Sequence, residues 1–191
     1  MNVSVLYDSG QSYAGRAYGD CVTSARAHNV PIVIARRGMR WSSGDGVTLS
    51  ILAPALPFLA DTGDDVNEDS IVTRLSYGAF RELFMGDAGE NSEGRLLAFG
   101  DDLRADMLKV GHHGSQYAST PMFIAAVHPT IAIISVGRHN TFGHPGPTTL
   151  ATLVRVGAII YRTDKCGALS LSISAEVTSS MLHLHACNAS K

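Results

Sequence analysis

Asp87 follows the apolar run Leu83-Phe84-Met85 within Gly86-Asp87-Ala88. Its carboxylate should therefore emerge from a dry strand at a fixed place. A carboxylate held this way suits a hard or borderline divalent metal and can bridge two of them. Asp87 could equally cap the helix expected after it. His112 and His113 are adjacent between Gly111 and Gly114, after Met107-Leu-Lys-Val110. Neighbouring side chains at a strand end point in different directions. One imidazole could then bind a metal while the other contacts substrate or orients the site, and the glycines permit close approach of backbone and ligand. His144, in Phe142-Gly-His-Pro145, shares a polar loop with Arg138, His139 and Asn140. An imidazole there could serve as a ligand or an acid–base group near neutral pH, or simply belong to a structured turn. His183 and His185 have H-x-H spacing with Cys187 beyond them. With no carboxylate nearby, they read as one face of a strand rather than a site.

The elements that must position these groups can be traced by periodicity and punctuation. Val3–Tyr7 reads as a buried strand, Ser12–Asn29 as a helix with Ser12 as a cap, and Ile32–Ala35 as a short strand. Val47–Leu52 alternates as a strand after the Gly44-Asp45-Gly46 turn, and 54–68 is a loop rich in Pro, Asp and Gly. Ser70–Tyr77 and Phe80–Met85 form a hairpin turning at Gly78-Ala79. A helix over 91–99 precedes the strand Met107–Val110. Thr120 and Pro121 open the next helix as cap and first residue. The strand Thr130–Val136, a polar loop over 137–147, a helix over 148–156 and strands at 158–161 and 168–174 complete the pattern. Each of four polar loops directly follows an apolar strand, which is where a rigid scaffold holds catalytic groups. Alternating strands and helices indicate a layered α/β domain.

Composition narrows the field. A chain of 191 residues is one ordinary domain, and its 45% hydrophobic content is globular rather than disordered. A net charge of −2 gives no global field toward nucleic acid. The basic cluster Arg36, Arg37 and Arg40 beside Trp41 reads as a solvated turn. No apolar stretch is long enough to span a bilayer and no secretory signal opens the chain, so a soluble cytoplasmic protein is expected. The cysteines, Cys21, Cys166 and Cys187, lack the spacing of a zinc knuckle or a disulfide framework, which fits a reducing compartment.

Taken in order, the motifs resemble one family. They are Asn67-Glu-Asp-Ser70, Met85-Gly-Asp87-Ala88, Leu108-Lys-Val-Gly-His-His-Gly-Ser115, Ile134-Ser-Val-Gly137, Asn140-x-x-Gly-His-Pro145 and Tyr161-Arg-Thr-Asp164-x-x-Gly167. This succession, over about residues 30–175 of a single domain 1–191, resembles the metallo-β-lactamase-fold domain at the C-terminus of ComEC/Rec2 competence (DNA-uptake) proteins. The resemblance implies an αββα sandwich with a zinc or manganese site at one edge of the sheets. It also implies a hydrolase, phosphodiesterase- or nuclease-like, whose metal generates hydroxide from water. By motif, Asp87 is the metal-bridging carboxylate and His112 or His113 the late histidine ligand. Asn67, Ser115, Asn140, His144 and Arg162 fall on signature positions and imply substrate contact or support of the site.

One departure shapes the expectation. The family's main ligand cluster, H-x-H-x-D-H, has no counterpart in residues 1–60, where the only histidine is His28. The domain is thus expected to be N-terminally incomplete, to hold zinc or manganese weakly or not at all, and to have little or no activity as an isolated chain. Phosphoester or nucleic-acid substrates follow from the family. The alternatives are a non-catalytic module for binding or assembly, self-associating through exposed strand edges, and an acyl hydrolase on the same fold.

Overall fold

The structure is a computed structural model that describes residues 2–173 and 183–185. Its centre is a seven-stranded mixed sheet with the order β3-β4-β5-β6-β7-β8-β9. The antiparallel half comprises β3 (Arg40–Ser42), β4 (Val47–Ala53), β5 (Val72–Tyr77) and β6 (Phe80–Phe84). β5 and β6 turn at Gly78-Ala79, as their alternation predicts, and Gly78 supplies the φ of 56° that the turn needs. The parallel half continues from β6 through β7 (Met107–Lys109), β8 (Ile131–Ile134) and β9 (Ile159–Arg162). Parallel neighbours require crossovers, supplied by α3 (Glu90–Ala98), α4 (Pro121–Val127) and α5 (Pro147–Arg155).

The crossover helices cover one sheet face and bury its core. Leu83, Leu108, Ala132 and Ile160 are aligned across β6 to β9, and all are buried. Leu96, Phe123, Ile124, Val127 and Leu153 descend onto them from the helices. Burial of each large side chain contributes roughly 1.5–3 kcal/mol. The opposite face carries the alternate row Glu82, Met107, Ile131 and Ile159.

Outside this body, β1 (Leu6–Asp8) and β2 (Ile32–Ile34) form a two-stranded parallel sheet joined through α1 (Arg16–Ala27). The helix α2 (Asp65–Glu68) precedes β5, α6 (Thr163–Cys166) follows β9, and β10 (Ser170–Ser172) pairs antiparallel with β11 (His183–His185). The large mixed sheet with helices is the expected α/β class. Cys187 lies outside the described residues, as do the side chains of His183 and His185. Among the described residues no helix is long and apolar enough to cross a membrane.

Several local expectations are corrected. The strand expected at Val3 starts at Leu6, and α1 starts at Arg16 after an extended Gly15 rather than at a Ser12 cap. The basic segment expected to be a solvated turn contains β3, because Trp41 pairs opposite Leu49 and its ring packs edge-on against Tyr7 at 4.6 Å. Arg37 is bound in two hydrogen bonds to Asp101, at 2.7 and 2.8 Å, and lies over the Phe99 ring. Cys21 is free and exposed, whereas Cys166 is disulfide-bonded, although the cysteine spacing shows no disulfide framework.

Candidate functional site

Because β6 to β9 run parallel, their carboxyl ends open on one edge, and each delivers a polar loop there. In open α/β sheets this edge is where ligands bind. Asp87 sits in the turn after β6. Its N–H donates to Ser70 Oγ at 3.1 Å, while Gly86 takes a φ of 59°. Asp87 is not the cap of α3. That helix begins after Gly89, and the acceptor for its first N–H groups is the buried Glu68, which receives Gly89 N, Asn91 N and Ser92 N at 3.2, 3.3 and 2.7 Å.

The His112-His113 turn lies directly after β7. Both residues are left-handed, with φ values of 44° and 54°. That conformation costs a non-glycine residue roughly 1–3 kcal/mol and persists only where its surroundings enforce it. Here His112 N–H donates to Gly86 O at 3.1 Å and Ser115 N–H to His112 O at 2.8 Å. Gly111 is required by close approach, since a Cβ there would stand 2.5 Å from Ala88 O. The two turns, from β6 and β7, are thus one interlocked unit.

His113 Nδ1 is 2.7 Å from the Ser135 carbonyl. A carbonyl only accepts, so Nδ1 carries the proton and Nε2 faces outward. Nε2 lies 3.5 Å from Asp87 Oδ1. The ring of His112 lies 6.4 Å from that of His113 and 5.7 Å from that of His144. Burial holds the His144 imidazole below its ordinary pKa, and His112 and His113 push it the same way, with Asp87 opposing. Lys109 donates to Val110 O at 2.8 Å, and burial lowers its ammonium pKa against the pull of Asp87.

The signature residues divide into two groups. Asp87, His112 and Asn67 line one cavity of about 400 Å³, within the size range of small-molecule sites. Asn67 also donates to Asp64 at 2.7 Å. Asn140 braces the His144 loop, donating from Nδ2 to His144 O at 2.9 Å and accepting His144 N–H at 3.0 Å. Ser115 is buried and its hydroxyl accepts Tyr117 N–H. Arg162 makes a two-point pair with Asp164 at 3.0 and 2.7 Å, which holds that carboxyl below its usual range. None of the hydrogen bonds of Arg162 reaches Asp87 or the histidines.

Two donors of one tetrahedral zinc stand roughly 3.4 Å apart, and the 3.5 Å separation of Asp87 and His113 matches that spacing. The set does not close, because among the described residues no group of three or more His, Cys, Asp or Glu is arranged to hold an ion. Sequence reasoning missed Glu68 and its counterpart Glu93, which is buried in α3 and accepts the N–H groups of Ser119 and Thr120 at the start of α4. Glu68 lies within the Asn67–Ser70 motif, but nothing local marks the role of either residue, since each acts on a helix other than its own.

No protein-family model matches the chain. It is 32% identical over 146 residues to ComE operon protein 3 of Bacillus subtilis, covering 76% of this chain and 18% of that protein. It is 33% identical over 135 residues to competence protein ComA of Neisseria gonorrhoeae, covering 70% and 19%. It is also 30% identical over 109 residues to recombination protein 2 of Haemophilus influenzae, covering 56% and 13%. The matched part is under a fifth of the length of each of these relatives.

Proposed function

We propose, from this relation to competence proteins, that the chain is part of a metal-dependent phosphoester hydrolase domain, nuclease-like, built on an αββα sandwich and acting on DNA during uptake. The observation that carries the reading is the Asp87–His113 pair. With Nδ1–H donated to Ser135 O, His113 leaves Nε2 as its free ring nitrogen, 3.5 Å from a carboxylate oxygen of Asp87. Two acceptors facing each other are unfavourable unless a proton or a cation lies between them. Asp87 and His113 would contribute two donors to zinc or manganese, and a joined segment carrying H-x-H-x-D-H would have to supply the others. A bound ion of this kind supplies a water-derived nucleophile near neutral pH. The chain's own groups orient the site: Ser135 fixes the His113 ring and Asn140 fixes the His144 loop.

The test uses bis-p-nitrophenyl phosphate and single-stranded DNA with added manganese. The 191-residue chain should turn over negligible substrate, because its donor set is short. Joining a segment that carries H-x-H-x-D-H should raise the rate by orders of magnitude, and Asp87→Ala in the joined protein should return it to background. A joined protein that binds manganese yet cleaves no phosphoester sinks the reading and moves acyl hydrolysis ahead.

A binding or assembly role is the second reading, favoured by the N-terminal unit. No residue of α1 is buried, and within the described residues β1 and β2 pair only with each other. Open strand edges pair with other chains, so this reading expects self-association that grows with concentration in light scattering.

A further inference from the structure

Two exposed aromatic rings flank the Asp87–histidine cluster, and neither belongs to the core. Phe142 is 80% exposed and Tyr117 is 64% exposed. Phe142 lies nearly parallel to the His144 imidazole, at 17° with 6.0 Å between ring centres, and His144 is 5.7 Å from His112. Tyr117 lines the cavity that Asp87 and His112 share. Tyr117 thus borders the cavity of Asp87 and His112, and Phe142 reaches the same His112 through His144.

Both rings stand on fixed backbone. The Phe142 loop is pinned by Asn140, whose side chain bonds Gly137 O, His144 O and His144 N–H. Tyr117 is held by its N–H to Ser115 Oγ and by its carbonyl, which accepts Glu90 N–H at 2.9 Å. Exposed rings on rigid supports lose little freedom when a ligand stacks on them. The charge around them is asymmetric: Arg138 and His139 are exposed on the Phe142 loop, whereas the Tyr117 cavity is edged by Asp64 and Glu90. An anionic backbone belongs on the imidazole and arginine side, and an uncharged planar group fits the acidic pocket.

We propose that Phe142 and Tyr117 are base-stacking residues that seat a single strand of nucleic acid across the Asp87–histidine cluster, one unpaired base on each ring. This rests on the phosphoester reading above, with its single-stranded DNA substrate, and adds to it the two residues that seat the bases. Stacking of this kind tolerates any base, because every base has a π-face. The backbone between the two stacked bases would pass over His112 and His113.

The test measures binding, so it does not depend on turnover. Fluorescence anisotropy of the 191-residue chain is recorded with a labelled short oligo(dT) and with an abasic strand of equal length. Wild type should bind oligo(dT) about tenfold or more tightly than the abasic strand. Phe142→Ala, Phe142→Leu and Tyr117→Ala should each weaken oligo(dT) binding about tenfold while leaving abasic binding unchanged, and Phe142→Trp should restore it. The exposure of both rings predicts unaltered thermal midpoints for all four variants. Equal binding of the two strands by wild type, or wild-type affinity in Phe142→Leu, overturns base stacking while leaving phosphoester hydrolysis to its own assay. Failure to bind either strand also overturns it. Base-dependent binding without hydrolysis in the joined protein would uphold the stacking and remove the hydrolase.

Discussion

The carboxyl edge of the sheet and the N-terminal β1–α1–β2 unit are both made of strand–helix–strand pieces, yet they are held in opposite ways. At the edge, every loop leaves a buried strand, and the helices behind it are capped from a distance by Glu68 and Glu93. Two left-handed histidines are tolerated there because neighbouring turns bond to them. In the N-terminal unit α1 has no buried residue, its first turn has no side-chain cap and its i,i+4 pair Arg16–Asp20 is exposed. Strain can be stored where packing over-determines the backbone. Where no side chain is fully buried, as in α1, local propensity carries more of the weight.

Breaking the packing behind the edge should have the largest effect. Phe123→Ala removes a ring that is 1% exposed and should lower the unfolding free energy by about 3–5 kcal/mol, read by urea titration. A loss below about 1 kcal/mol would show that the helix layer is not the core.

The second test is pH. Burial raises the Glu82 carboxyl to about 7 in the folded chain, and among the described residues no hydrogen bond or ion pair to it offsets this. The folded state then binds more protons than the unfolded one between about pH 4.5 and 7, so stability falls as pH rises through that window. The loss is on the order of 3 kcal/mol. Glu82→Gln should abolish this part of the slope and narrow the difference between pH 5 and pH 8. An unchanged slope would place the titration elsewhere, with the buried Glu93, also raised to about 7, the next to replace.

Glu68→Ala should cost about 0.5–2 kcal/mol, since the first N–H groups of α3 lose their acceptor. Glu68→Gln, which keeps an acceptor, should cost less. Equal losses would mean that charge rather than hydrogen bonding matters at that helix end. The smallest effect belongs to the N-terminal unit. Ala25→Gly weakens α1 by about 1 kcal/mol locally, but the global urea midpoint should not move. Hydrogen exchange should show α1 amides exchanging far faster than those of β7 and β8 in wild type. Protection of α1 equal to that of β7 would show that the unit shares the main core.

Much of the parallel half was legible because strand, cap and turn signals there are local. The hairpin at Gly78-Ala79, Pro121 as the first residue of α4, and the strand–loop order that carries Asp87, His112 and His144 all follow from short-range rules. β3 was not legible, because a charged three-residue strand exists only through its pairing with β4 and the Tyr7–Trp41 contact. By itself the sequence determined the residue types at the strand ends and, through the lengths of the crossovers, that those ends share one edge. Only the tertiary structure decided which imidazole faces Asp87. That choice depends on the Ser135 carbonyl, 22 residues from His113, and on turns whose backbone is strained into place by their neighbours. The same holds for Glu68 and Glu93, whose partners lie more than 20 residues away and are set by packing, not by any pattern along the chain.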